Sequence, residues 1–304
     1  MVNPVTDRAQ TRVGIIGVGE MGGTMVHRLL SGGRQVVIYD TRPSIMKPFV
    51  EAGARSAASA GDLARDCDVV IACLPSSAAC VAVAGEVAAQ RSPCTYLEMS
   101  TIGLETVQKI ETLLAPAGIG VVDAPVSGGI KRMLEGDAAI VVSAPPEILV
   151  RARPILEEIS VNITLAGDKV GAAQTCKLVN NAISFSAFVV SCEALAVGVK
   201  AGVPAETLLD FINNGSGRNS ATVDKIPRAI IPRTFRGGGS LGTVPKDLNL
   251  YLEVARKAGM PELMVAKTVS VWQEAIDTLG AEVDYTHMIE MMEQHVGVAV
   301  SSAK

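Results

Sequence analysis

Two hydrophobic rhythms divide the chain. In its first half, short runs dense in β-branched residues (Val13 to Gly17, Gln35 to Tyr39, Val69 to Cys73, Thr95 to Glu98, Gly120 to Val122, Ala139 to Ser143) alternate with segments whose apolar positions recur every three or four residues. That alternation predicts an α/β fold on a doubly wound parallel sheet, because each strand returns to the sheet through a helix packed on one of its faces. From Gly171 onward the helical rhythm takes over. Gly171 to Ala201 reads as one unbroken helix of about 45 Å, at 1.5 Å per residue. Leu178, Ala182, Phe185, Val189, Cys192, Ala196 and Val199 form one stripe on it, and Val179, Ile183, Ala187, Val190 and Ala194 fill much of the remaining circumference. Such a helix is expected to be buried. Lys177, Asn180, Asn181, Ser184, Ser186, Ser191 and Glu193 interrupt any run of the roughly 20 apolar residues that a bilayer needs, so no membrane span is predicted.

Shorter amphipathic helices are predicted from Pro204 through Phe211 and at Leu248 to Ala258, Pro261 to Leu279 and Tyr285 to Gln294, the last with Asp284 in a capping position. Glycine-containing loops are expected at Asn213 to Asn219 and Arg236 to Ser240, and a loose tail from Val296 to Lys304. The domain boundary should fall between Val161 and Gly171, with Asn162 to Thr164 as a last strand. That gives a first domain of residues 1–165 and a second of 166–304.

The first candidate chemistry lies on the long helix. Lys177, Asn180 and Asn181 stand at i, i+3 and i+4 and crowd one face, where an ammonium is costly unless it is used. The sharpest local motif is Gly17-Val18-Gly19-Glu20-Met21-Gly22, directly after a strand and directly before a helix. With Asp40 ending the next strand about 20 residues on, this is the dinucleotide fingerprint. Gly17 permits the tight turn, Gly19 lets backbone approach a pyrophosphate, and Gly22 lets the helix pack closely on the strand. The helix N-terminal amides attract the phosphates. Asp40 would accept hydrogen bonds from a ribose diol and repel a 2′-phosphate, which favours NAD. Arg42, two residues later, would pair with such a phosphate, which keeps NADP open. Leu74-Pro75 and Ser100-Thr101 each follow a strand at the edge where open sheets bind ligands, and are candidate cofactor walls. Asp123 to Gly129, DAPVSGG, also follows a strand. Its Ser127, Gly128 and Gly129 set a hydroxyl beside exposed amides, a nest for a carboxylate or an ordinary turn.

Composition narrows the class. A chain of 304 residues with 48 % hydrophobic residues can build two cores. A net charge of −4 and 3 % aromatic residues argue against a nucleic-acid partner. Met1 to Thr11 has no apolar leader segment and reads as a loose arm of a cytoplasmic protein. Six cysteines without a CxxC pair, beside three histidines, read as small buried hydrophobes and not as a metal site.

Together, GVGEMG, DAPVSGG, the Gly171 to Asn181 segment GAAQTCKLVNN and Lys246-Asp247-Leu248 resemble the β-hydroxyacid dehydrogenase family, in order and over nearly the whole chain. The resemblance implies an N-terminal Rossmann domain, an all-helical C-terminal domain built on the long helix, and hydride transfer between a nicotinamide cofactor and a small 3-hydroxy acid. The ligands are expected in a cleft between the domains, and a homodimer or homotetramer is implied. By matching position, Lys177 resembles the catalytic lysine and Asn181 its substrate-orienting partner. Ser127, Gly128 and Gly129 resemble the carboxylate clamp, and Lys246 a second lysine near nicotinamide and substrate. A lysine serving as base near neutral pH must fall well below its ordinary value of about 10.4, which burial and a neighbouring Lys246 would both promote.

Three residues depart from the pattern. Ala173 stands where glycine is frequent, and Lys131 and Arg132 follow SGG where small residues are common; these two either meet a second anionic group on the substrate or face solvent. The alternatives are an imine reductase-like enzyme, which would generally lack the lysine, and a nucleotide-binding regulatory or scaffold protein, which would have lost the polar site residues.

Overall fold

Among the described residues, the β-branched runs of the first half assemble into a nine-stranded sheet. The computed structural model describes residues 11–302, so the predicted arm lies outside the described residues except for Thr11, as do Ala303 and Lys304 of the tail. The chain divides into two compact units, one ending at Lys177 and the other beginning at Leu178.

The first unit runs β1 (Val13–Ile16), α1 (Glu20–Ser31), β2 (Val36–Tyr39), α2 (Pro43–Glu51), β3 (Arg55–Ser56), α3 (Ala60–Asp66), β4 (Val69–Ala72), α4 (Ser77–Ala89) and β5 (Thr95–Glu98). It continues through α5 (Leu104–Leu114), β6 (Gly120–Asp123), β7 (Val126–Ser127), α6 (Gly129–Glu135), β8 (Ala139–Ser143), α7 (Pro146–Ile159) and β9 (Ile163–Gly167). The strand order is β3-β2-β1-β4-β5-β6-β8-β7, with β9 beside β8. From β3 to β6 every pairing is parallel. At the far edge the expectation of a parallel sheet needs amending, since β8 runs antiparallel to both β6 and β7. The two-residue strands β3 and β7 are too short to leave a sequence pattern.

Pleating sends alternate side chains to opposite faces. Val13, Ile15, Ile38, Ile71, Leu97 and Val122 pack with Met25 and Leu29 of α1 and Leu156 of α7. Ile16, Val37, Val70 and Tyr96 pack with Leu63, Val87 and Ile110 of α3, α4 and α5. Covering on both faces is why these strands read as continuous apolar runs. On one rim the buried Arg34 guanidinium grips both carboxylate oxygens of Glu158 on α7, at 2.5 and 2.9 Å.

α8 (Ala172–Lys200) begins in the first unit and continues into the second, which adds α9 (Ala205–Asn214), α10 (Val244–Lys257), α11 (Met264–Leu279) and α12 (Met288–Val296). Phe188, Cys192, Leu195 and Ala196 of α8 enter this unit's core beside Leu209, Leu248, Trp272 and Ile289. Phe188 stacks on Trp272, with Phe185 and Tyr285 edge-on to it. By length and composition α8 would suffice to cross a membrane, a test that core helices of soluble proteins also pass. It is not buried all round: Val179, Ile183, Val190 and Val197 form an exposed apolar stripe.

One stretch of this unit carried no expectation, and one expectation fails. Ala221–Ile230, unassigned between the two glycine loops, is a π-helical stretch with Pro227 inside it. The tail is not loose up to Ser302, because Val300 is fully buried, its amide donates to Glu293 at 2.6 Å, and the Ser302 amide donates to the Ile231 carbonyl.

Candidate functional site

The glycine motif forms the turn from β1 into α1. Gly17 has φ +86°, and a Cβ there would lie 2.3 Å from the Cys73 carbonyl. A Cβ on Gly22 would lie 1.9 Å from the Gly17 carbonyl, so that glycine is demanded by helix-on-strand packing. Gly19 differs. A Cβ there would meet only the Arg42 guanidinium, at 3.9 Å, so nothing within the chain requires a glycine. Gly19 opens α1 at its N-cap, where first-turn amides have no helical acceptor. Free space beside orphan amides suits the pyrophosphate of a dinucleotide.

Asp40 directly follows β2 and is buried. Its Oδ2 accepts the Val18 amide at 3.1 Å, and its Oδ1 accepts the Arg42 amide at 2.9 Å. The Arg42 guanidinium approaches the same Oδ1 at 3.5 Å while its side chain stays 66 % exposed. Glu20 is exposed, and Met21 packs against the core. Across the edge the Leu74 amide donates to Ser100 Oγ at 2.8 Å; Pro75 is exposed and Thr101 half-buried.

Below this edge lies a carboxyl that sequence reasoning passed over. Glu98, the last residue of β5, is fully buried; its Oε1 accepts the Ser100 amide at 3.0 Å, and its Oε2 has no partner. Desolvation pushes it up to about 7. The Cys80 thiol, 3.7 Å from Glu98, is pushed up by burial and by that carboxylate.

A second buried node joins the sheet to the start of α8. Asp123 Oδ2 accepts from the amides of Gly171 and Gln174, each at 3.0 Å, and from Ser143 Oγ at 3.2 Å. Its Oδ1 accepts Gln174 Nε2 at 2.8 Å. Burial raises the Asp123 carboxyl and these donors pull it back down. The Gln174 carboxamide also donates to the Ser100 carbonyl and accepts the amides of Ile102 and Gly103 at 2.9 and 3.0 Å. Sequence reasoning quoted Gln174 and Asp123 within motifs without giving either a role; the available signal was a glutamine three residues before a lysine on an apolar helix. Lys177 follows within a turn, 9 % exposed.

The remaining residues fall into two groups. In the first unit Ser127 ends β7, half-buried, and Gly128 and Gly129 (φ +124° and +71°) start α6; a Cβ on Gly129 would meet nothing within 4 Å. Lys131 lies 4.0 Å from Glu135, and Arg132 bonds Asp137 at 2.8 Å, so both cations have acidic partners on α6 or just after it. In the second unit Asn181 Nδ2 donates to Asp247 Oδ2 at 2.7 Å, and Lys246 Nζ lies 3.4 Å from Asp247 Oδ1. Asn181 is buried and Lys246 is 39 % exposed along its side chain. Arg228 is held by Asp224, and Arg233 by Glu290 and Glu293.

Residues 12–167 match the family described as the NAD binding domain of 6-phosphogluconate dehydrogenase. Residues 171–292 match that described as the NAD-binding of NADP-dependent 3-hydroxyisobutyrate dehydrogenase. The chain is 31 % identical over 298 residues to 2-(hydroxymethyl)glutarate dehydrogenase of Eubacterium barkeri, covering 96 % of this chain and 98 % of that one. It is 34 % identical over 256 residues to 3-hydroxyisobutyrate dehydrogenase of Pseudomonas aeruginosa, covering 81 % and 86 %. Among solved structures it is similar to Mycobacterium tuberculosis 3-hydroxyisobutyrate dehydrogenase with L-serine: TM-score 0.84 and 26 % identity, over 93 % of this chain and 99 % of that one.

Proposed function

Because the chain belongs to the β-hydroxyacid dehydrogenase family, which includes 3-hydroxyisobutyrate dehydrogenase, it is an NAD(P)-dependent dehydrogenase of small hydroxy acids, and we propose that Lys177 is its general acid/base. The observation that carries this reading is the anchoring of the turn before Lys177. Gln174 and Asp123 fasten the start of α8 to the carboxyl edge of the sheet, where open parallel sheets bind dinucleotides, and a buried ammonium follows three residues later.

In oxidation the neutral Lys177 amine takes the hydroxyl proton as hydride leaves the same carbon; in reduction its ammonium returns that proton to the oxygen. A bound nicotinamide supplies the hydride acceptor or donor. Gly17, Gly19 and Gly22, with the first-turn amides of α1 from Glu20 and Met21 on, would hold the pyrophosphate, and Leu74, Pro75 and Thr101 would wall the site. Ser127 and the amides of Gly128 and Gly129 would hold the substrate carboxylate. Asn181, itself held by Asp247, would orient the hydroxyl, and Lys246 would add positive charge for the anionic ligands.

NAD is the preferred cofactor on this reading. The Asp40 carboxylate repels a 2′-phosphate, and Arg42, which would attract one, is paired with Asp40. We read the enzyme as a cytoplasmic homodimer or homotetramer: its cysteines are free thiols, and the stripe Val179, Ile183, Val190 and Val197 is exposed and apolar.

The test is initial-rate kinetics with NAD and NADP against 3-hydroxyisobutyrate, L-serine and 2-(hydroxymethyl)glutarate, beside a Lys177→Met variant. We expect kcat/KM at least about tenfold higher with NAD, and a folded variant whose kcat falls by about 10²- to 10⁴-fold, the range of general acid–base contributions. A variant that keeps most of its turnover would remove Lys177 from the chemistry. Faster turnover with NADP would reverse the assignment of Asp40.

A further inference from the structure

Ser184 extends the face of α8 that carries Lys177 and Asn181, the three standing at i, i+4 and i+7. In the second unit this serine meets an ammonium that sequence reasoning did not notice. Lys225 Nζ donates to Ser184 Oγ at 2.9 Å, and Ser184 Oγ lies 3.2 Å from Ser220 Oγ. Three aromatic rings surround the same nitrogen, Phe185 at 5.7 Å and Phe188 and Tyr285 each at 5.9 Å.

The acids around it are committed elsewhere. Asp224 bonds Arg228, Glu293 bonds Arg233 and the Val300 amide, and Asp284 caps Thr286. Cys192 is a buried thiol held neutral by desolvation. Among the described residues no carboxylate lies within ion-pairing distance of Lys225. Ring faces attract a cation without neutralising it. Burial accordingly drives Lys225 below the ordinary lysine value, as expected for a charge taken out of water without a counter-charge. The residue stands on the π-helical stretch Ala221–Ile230, a geometry that recurs at functional sites. Ser220 is exposed, so the cluster has an opening to solvent.

We propose that Lys225, Ser184 and Ser220 form a subsite for a second carboxylate of the substrate, carried beyond the reacting hydroxyl, so that the preferred substrate class is a 3-hydroxy diacid. The proposal rests on the hydroxy-acid dehydrogenase reading and narrows it. One carboxylate oxygen accepts from the ammonium, and the other accepts from a serine hydroxyl. A methyl group there leaves the ammonium without a counter-charge, and an ammonium group, as in L-serine, meets like charge.

The experiment compares kcat/KM for 2-(hydroxymethyl)glutarate and 3-hydroxyisobutyrate in the wild type and in Lys225→Met, Lys225→Arg and Ser184→Ala, each checked for folding by its melting curve. The expected diacid-to-monoacid ratio is at least about 10 in the wild type. It should fall at least about tenfold in Lys225→Met, chiefly through KM for the diacid, with part of it kept in Lys225→Arg. A ratio unmoved by Lys225→Met overturns the subsite, as does an equal loss on both acids, which would make the lysine structural. Calorimetric titration with glutarate, which has no hydroxyl to react, separates this from the enzymatic reading. Should neither acid turn over, the dehydrogenase reading fails by itself; glutarate binding weakened at least about tenfold by Lys225→Met would still support the subsite, and equal binding would refute it.

Discussion

At the scale of single residues, Glu98 imposes the clearest pH signature. Its carboxyl is raised from an ordinary value near 4.5 to about 7 by burial, so the folded chain holds a proton that the unfolded chain releases between those values. Protons bound preferentially by the folded state make stability fall as pH rises, so Glu98 weakens the fold progressively from about pH 4.5 to 7 and by about 3 kcal/mol above that. Glu98→Gln keeps an acceptor for the Ser100 amide and removes the charge. Its melting temperature relative to the wild type should climb as pH goes from 5 to 8, and a difference that stays flat would show that Glu98 does not titrate in that window. Glu98 was not legible in the sequence, because a glutamate closing an apolar strand looks the same whether it points into solvent or under the sheet edge. Gly17, Gly22 and Asp40 were legible, because a strand-to-helix turn restricts those positions to few residue types. Lys131 and Arg132 were half-legible: their charge was plain, but their partners Glu135 and Asp137 emerge only once α6 has closed.

At the scale of elements, the start of α8 is fixed by one carboxamide. Gln174 makes four side-chain hydrogen bonds, two through each end, to Ser100, Ile102, Gly103 and Asp123. Gln174→Leu would strand two buried amides, a carbonyl and part of a carboxylate, a loss of about 3 kcal/mol or more. If Gln174 positions Lys177, the variant should also lose kcat with little change in KM. A destabilised variant with unchanged kcat would confine the glutamine to a structural role. The strands β1, β2, β4, β5, β6 and β8 and the helices α8, α10 and α11 were foreseeable from period alone, with ends displaced by a few residues. The π-helical stretch was not, since Pro227 and the glycines before it carry the signs of a loop, and its compensating feature, Phe185, Phe188 and Tyr285 around Lys225, is assembled from distant segments. The buried Val300 was missed for the same reason: nothing local distinguishes an apolar residue near a terminus from one that reaches the core.

At the scale of the whole molecule, the sequence places the change from strands to helices between Val161 and Gly171, whereas contacts within the chain keep residues through Lys177 with the sheet. β9 and the first turns of α8 therefore belong, by their hydrogen bonds, to the nucleotide-binding half. This matters for recombination between relatives. A hybrid gene spliced at Leu165, the boundary expected from the sequence, would ask a foreign Gln174 turn to fit this sheet's Asp123, Ser143 and Ser100. A splice after Lys177 would transfer the sheet with its own latch. We expect hybrids with the second half of a related dehydrogenase to melt cooperatively and stay in solution when joined after Lys177, and to lose yield when joined at Leu165; equal behaviour would mean the latch is interchangeable. The practical seam of this fold would then lie inside a continuous helix, where an eye trained on loops would not cut.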